Sequence, residues 1–206
     1  MFFVSLAASY LLGSIPFGLL IGFLNRKDVR EQGSKNIGAT NVWRICGWKW
    51  GGAAFILDFL KGLCAVLFLG RISGDWLGEP YASLGCAVLA VVGHNFPVWI
   101  AFRGGKGVAT SAGAIAGLLW LPFFVALAVF ALTVWAFRYI SLGSMTASVA
   151  LVVAVPLYLS EPFGRDLPLT VTTAALCVLL IYRHRANIER IIAGTENRFP
   201  PPKKEA

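Results

Sequence analysis

The chain has 206 residues, of which 57% are hydrophobic and only 14% charged, and its mean hydropathy is +0.72. That is too little polar surface to coat a water-soluble globule, in which about 25% of residues are charged, so the chain belongs in lipid. A net charge of +8, which in a soluble protein would suggest nucleic acid, points here to membrane topology and then to anionic head groups or substrates.

The N-terminal run MFFVSLAASYLLGSIPFGLLIGFL is apolar, and no Lys or Arg precedes Arg26. A secretory signal would show a basic start and a shorter apolar core. This run is long enough to cross roughly 30 Å of hydrocarbon, so it reads as a first span that is retained. Further apolar runs predict spans at 51–70, 81–102, 108–121, 122–137, 144–160 and 168–182. The short fourth and fifth meet at Pro122, as a tight hairpin or a partly re-entrant pair. The expected fold is an all-α integral membrane protein with seven transmembrane helices. It forms a single polytopic domain over 1–206, with a disordered tail at 199–206. The cysteines Cys46, Cys64, Cys86 and Cys177 form no CxxC motif and read as small apolar packing residues, implying neither disulfide nor metal.

Charge sorting sets the sidedness. With the N-terminus outside, fifteen of the eighteen cations fall in inside segments. The outside loops, RISGDWLGEP and EPFGRDLP, hold Arg71 and Arg165 beside Asp75, Glu79, Glu161 and Asp166, and Lys61 lies within a span. This bias predicts an outside N-terminus and a cytoplasmic C-terminus. The chemistry is then expected on the cytoplasmic side, in loops whose composition is unusual.

The first of these loops contains Gly33-Ser34-Lys35-Asn36-Ile37-Gly38-Ala39-Thr40-Asn41, followed by Arg44 near the start of a helix. Glycines alternating with small hydrogen-bonding residues can aim backbone N–H groups at an anion, and a guanidinium can grip a phosphate with two bonds. An ordinary solvated loop is the bland alternative. The second loop, Phe102-Arg103-Gly104-Gly105-Lys106-Gly107-Val108, places three glycines around one lysine just before a helix, whose N-terminus attracts anions. The P-loop spacing G-x-x-x-x-G-K-[ST] is absent, which argues against a nucleoside triphosphatase. His94 precedes this loop, but the H-x-x-x-x-D arrangement of many glycerolipid acyltransferases is missing: the fifth residue on is Trp99. His94 therefore reads as a structural hydrogen-bonder.

The third loop brings Ser144, read as a cap of the sixth span and a donor to an anion. After the last span, Arg183, His184, Asn187 and Arg190 fall near one another at helical spacing. Ile188, Ile191 and Ile192 form an apolar face, as on an amphipathic helix at the inner leaflet. Asp58 and Lys61 sit three apart inside the second span, where ionised groups are costly unless paired or facing a polar cavity. They read as a mutual pair or as supports beneath the loops.

Taken together, GSKNIGATN, GHNFPVWIAFRGGKGVAT and HRANIERIIAGTE, with LDFLKG in the second span, resemble the signature motifs of the bacterial acyl-phosphate:glycerol-3-phosphate acyltransferases, the PlsY family. The similarity covers nearly the whole chain, and Ile37 departs from it where proline is expected. The resemblance implies transfer of a fatty acyl group from acyl phosphate to the 1-hydroxyl of glycerol 3-phosphate, an early step of bacterial phospholipid synthesis. The products are lysophosphatidic acid and phosphate, with no cofactor and no metal. It implies as catalytic residues Ser34, Arg44, Lys106, His184 and Asn187. Substrate binding would fall to Lys35, Asn36, Gly38, Thr40, Asn41, Gly104, Gly105, Gly107 and Ser144. Ser34, Lys106 and the glycine loop would take the acyl-phosphate end, while Arg44, His184 and Asn187 would hold glycerol 3-phosphate. The proton acceptor is either an acyl-phosphate oxygen or His184. The expected partners are the two substrates and membrane lipid, with functional coupling to the enzyme that makes acyl phosphate, and no nucleic acid. The expected location is the bacterial cytoplasmic (inner) membrane. A transporter for a phosphorylated solute, a metal-dependent head-group transferase and a structural membrane subunit are the alternatives. They are disfavoured by cations gathered on one face and by scattered aspartates.

Overall fold

The computed structural model describes residues 1–73 and 81–200, and among them no strand occurs. The chain forms two compact units, one from Met1 to Leu118 and one from Leu119 onward.

In the first unit, helices α1 (Phe2–Ser14) and α2 (Phe17–Leu24) share one apolar stretch of 23 residues. Pro16 interrupts it, because a proline has no N–H to donate and biases the preceding residue toward extended backbone; Ile15 has φ −60° and ψ 115°. A polar loop leads to α3 (Ala39–Cys46), and Gly47, with φ 96°, turns the chain into α4 (Trp48–Cys64). Helix α4 runs on through a π-helical turn at Ala65–Gly70, so the whole span Trp48–Gly70 has 23 residues. Helix α5 (Tyr81–Asn95) ends in a short 3₁₀ turn at Val98–Ile100, and α6 (Val108–Leu118) closes the unit.

These helices meet backbone to backbone through small residues. A Cβ on Gly13 would overlap the Ala90 carbonyl, and one on Gly93 would overlap that of Tyr10, so α1 and α5 touch without side chains between them. Helices α4 and α6 do the same: Gly62 lies on the Thr110 carbonyl and Gly113 on that of Phe59. Close approach through Gly, Ala and Ser is how helices associate in lipid, where apolar side chains gain nothing by leaving an apolar solvent. The polarity is accordingly inverted. Ser5, Ser9 and Ser14 are buried on α1 while Phe3 points outward, and in the second unit Trp135 is 81% exposed. Leaving such side chains in water would forfeit about 1.5–3 kcal/mol each; in hydrocarbon they cost nothing.

In the second unit, α7 (Trp120–Phe137) and α8 (Ile140–Tyr158) form a hairpin. The hairpin turns at Arg138, which has φ 64°. Thr133 and Thr146 are linked hydroxyl to hydroxyl at 3.0 Å across it. Helix α9 (Leu167–Arg183) bends by 56° at His184 into α10 (Arg185–Ile192).

Among the described residues, five helical stretches are long and apolar enough to cross a membrane, or six when α9 and α10 count as one broken span. Helix α6 has 11 residues, about 16 Å at 1.5 Å per residue, roughly half a hydrocarbon core. The junction expected at Pro122 lies instead at Leu118–Leu119, and Pro122 sits inside the first turn of α7. There its missing N–H would have had no helical partner in any case. The predicted outer loop with Asp75 and Glu79, and positions 201–206 of the predicted tail, lie outside the described residues. Of that tail, Phe199 is pinned by its N–H to the Arg138 carbonyl at 2.7 Å.

Candidate active site

In the first unit, the loop 33–41 is organised by one side chain. Buried Asn41 accepts the Ser34 N–H at 2.8 Å. Its amide nitrogen lies 2.9 Å from the Val29 carbonyl, 3.2 Å from that of Gln32 and 2.8 Å from that of Asn36. Asn36 in turn accepts the Gly38 N–H at 2.8 Å. Asn41, expected to bind substrate, thus spends its hydrogen bonds on the loop. Gly33 and Lys35 adopt left-handed backbone, with φ 60° and 56°, and this leaves Ser34 and Lys35 exposed. Ile37, where proline was expected, is buried with Leu19 and Val42. Its carbonyl rests on Gly18 of α2, where a Cβ would overlap it. Thr40 and Arg44 lie four apart on α3, both half-buried. The end of α3 is fastened by Lys27, whose ammonium donates to the Ile45 carbonyl at 2.8 Å.

The glycine loop is strapped to the end of α5. The Gly104 N–H donates to the Asn95 carbonyl at 3.2 Å, and the Gly105 N–H to the His94 carbonyl at 3.1 Å. Those two donors face inward, so Gly104 and Gly105 serve by being small. A Cβ on Gly105 would overlap the His94 ring, and one on Gly104 would overlap the His94 carbonyl. Gly107 has φ 78° and packs on the Asn95 side-chain oxygen. Lys106 is half-buried and stands two residues before the start of α6. Ile100, just before this loop, packs on the apolar cluster that holds Ile37, so both loops rest on one core.

Beneath them, Asp58 and Lys61 pair at 2.8 Å, and His94 Nδ1 lies 3.5 Å from the same carboxylate oxygen. Asp58 belongs to α4, 36 positions before His94. A search for a carboxylate close along the sequence cannot find such a partner.

In the second unit, the centre is Glu196, whose side chain is 5% exposed. It accepts from Ser141 Oγ at 2.7 Å, Asn187 Nδ2 at 2.6 Å and Arg190 Nε at 2.7 Å. Burial pushes its carboxyl pKa up, but the bonds from Ser141, Asn187 and Arg190 outweigh this and hold it below the ordinary glutamate value. Glu196 and Ser141 were not singled out from the sequence, although the motif HRANIERIIAGTE contains the glutamate. Ser144 does not cap α8, which begins at Ile140 after Tyr139. Its hydroxyl donates one turn back to the Ile140 carbonyl at 2.8 Å. His184 occupies the α9–α10 bend, buried, with Nδ1 2.8 Å from the Leu180 carbonyl. A carbonyl can only accept, so Nδ1 carries the proton, and in the neutral ring the lone pair lies on Nε2. Among the described residues, no three His, Cys, Asp or Glu side chains gather as metal ligands would.

A helical membrane protein with its polar chemistry concentrated in strapped loops and helix ends is the class that these features define. The family model for glycerol-3-phosphate acyltransferase matches residues 3–194. The glycerol-3-phosphate acyltransferase of Syntrophotalea carbinolica is 44% identical over 200 residues, covering 96% of this chain and 97% of the relative. That of Brucella anthropi is 42% identical, covering 95% and 92%. The fold matches a crystal structure of PlsY (YgiH), an integral membrane glycerol 3-phosphate acyltransferase, in its glycerol 3-phosphate form. The TM-score is 0.86 at 35% identity, with 96% of this chain and 95% of that chain covered. The lysophosphatidic acid form of PlsY gives a TM-score of 0.82 at 34% identity. The chain belongs to the glycerol-3-phosphate acyltransferase family, of the PlsY type.

Proposed function

We propose that this protein transfers a fatty acyl group from acyl phosphate to the 1-hydroxyl of glycerol 3-phosphate. The observation that carries this reading is the pair of loops in the first unit. One sets Lys106 before a helix N-terminus and the other sets Ser34 and Lys35 ahead of Arg44. Two phosphate-bearing substrates need that many donors. Ser34, Lys106 and the glycine loop take the acyl-phosphate end, and Arg44 takes the glycerol 3-phosphate anion, with Lys35, Asn36, Gly38 and Thr40 shaping the loop beside it. In the second unit, His184 and Asn187 act on glycerol 3-phosphate, with Ser144 in support.

The glycerol 1-hydroxyl oxygen attacks the acyl carbon, the bond from that carbon to the phosphate oxygen breaks, and phosphate leaves. The leaving group of a mixed anhydride is already good, so the protein's work is to hold two anions together and neutralise charge as it develops. The hydroxyl proton passes to the departing phosphate or to His184 Nε2. Asp58 pairs His94 with a carboxylate, but the other ring nitrogen, Nε2, lies against Gly105 of the glycine loop. That is support for a donor that needs no histidine base of the H-x-x-x-x-D kind. We further propose a single domain with seven crossings, α6 being the fourth, in the cytoplasmic membrane. The N-terminus is then outside and the loops cytoplasmic, facing the enzyme that supplies acyl phosphate.

The test is purified protein offered acyl phosphate, acyl-CoA and acyl carrier protein thioester separately with glycerol 3-phosphate. Lysophosphatidic acid is expected from acyl phosphate alone; equal use of acyl-CoA, or no product, overturns the reading. His184→Ala adds a second arm. Abolished kcat with unchanged glycerol 3-phosphate binding assigns His184 as the base, whereas a raised KM with kcat retained assigns it to positioning.

A further inference from the structure

Both loops of the first unit depend on the surroundings of the buried Asp58–Lys61–His94 cluster. His94 uses two sides. Nδ1 faces Asp58 at 3.5 Å, and Nε2 lies where a side chain on Gly105 would be. The His94 carbonyl also receives the Gly105 N–H at 3.1 Å. The rotation of this ring therefore fixes the height of the residue just before Lys106. Lys61 reaches the other way. Its ammonium pairs with Asp58 at 2.8 Å and donates to the Ile15 carbonyl at 3.0 Å, at the break before Pro16. The helix that starts after the break carries Gly18, on which the Ile37 carbonyl of the first loop rests. Lys61 and Asp58 are each 2% exposed, and His94 5%.

A charged pair taken so deep into an apolar chain is a poor way to gain stability. Well-packed apolar residues of the same volume often serve as well or better. Its geometry is better suited to setting positions. We propose that Asp58, Lys61 and His94 are positioning residues for the transfer reaction, a buried charged brace. Asp58 and His94 set the glycine loop and Lys106, and Lys61 sets the helix break beneath the loop of Ser34. This rests on the reading that Lys106 holds the acyl-phosphate end. Displacing a substrate-holding group by about 1 Å costs on the order of 100-fold in rate, so the brace controls activity without touching substrate.

Two variants test it in the purified full chain. Asp58→Leu/Lys61→Met removes both charges together at similar volume and leaves no lone buried ion. His94→Ala leaves the ion pair intact and frees the glycine loop. The expected result is near-native melting in detergent for both, with kcat/KM for acyl phosphate lowered about 100-fold per folded molecule. His94→Ala should leave KM for glycerol 3-phosphate within about threefold. A folded variant that keeps kcat/KM within about threefold of the native protein overturns the proposal. So does failure of both variants to fold, which assigns the cluster to stability alone. The native protein in the same assay separates the two readings. If it makes no lysophosphatidic acid from acyl phosphate, the function has failed; if it does and the variants match it, the brace has failed.

Discussion

At the scale of single residues, Asn41 and Glu196 spend their hydrogen bonds on holding other groups in place. Asn41 donates its amide protons among three carbonyls. Asn41→Asp replaces that donor by a second acceptor and leaves carbonyls unsatisfied at about 1–3 kcal/mol each. The expected outcome is a lower melting temperature in detergent together with a kcat/KM lowered about 100-fold, read from melting curves and initial rates. Glu196 makes a prediction in pH. Its carboxyl is held below the ordinary glutamate value, so its ionised form favours the folded state. That contribution is complete above about pH 4.3, the ordinary value, and is lost as pH falls through the lower folded value. Glu196→Gln should remove this acid-side decline and lower the melting temperature at neutral pH, because hydrogen bonds to a charged group are worth about 1.5–3 kcal/mol. An unchanged melting profile would show that the three bonds to Glu196 carry no net energy. The sequence made the residue types of both clusters legible, but not their division of labour. Asn41 and Glu196 sit inside motifs that read as anion-binding, and only the folded loop shows which members face inward.

At the scale of elements, apolar runs located the helices well because hydrocarbon demands continuous apolar length. The ends were less legible. Pro122 reads as a break, yet a first helical turn tolerates proline, so the interruption falls at Leu119 instead, with φ −143°. His94 and Asp58 could not be joined from the sequence because they lie on different helices. Glycines offer the sharper test of packing. Gly113 has the Phe59 carbonyl where a Cβ would be, whereas Gly52 on α4 has open space. Gly113→Ala is expected to destabilise by about 1–3 kcal/mol through overpacking. Gly52→Ala should stabilise by about 0.5–1 kcal/mol by relieving a glycine within a helix. Melting of the two variants side by side checks this, and equal effects would argue against backbone contact between α4 and α6.

At the scale of the whole molecule, the cations that flank the spans sort to one side only if an odd number of segments crosses, which is why the short α6 matters. In the living cell, a tag at Met1 is expected to be reached by a protease added outside, and a tag after Ala206 to be protected. Protection of both would favour an even count. The mode of helix association reaches beyond topology. Helices α1 with α5, and α4 with α6, meet through bare backbone, so their separation within lipid would expose little apolar surface to water. The heat-capacity change that bends the stability curve of a soluble protein arises from such hydration. For this protein that curve should be nearly straight, with stability falling steadily on warming over the whole range and no return to disorder near freezing.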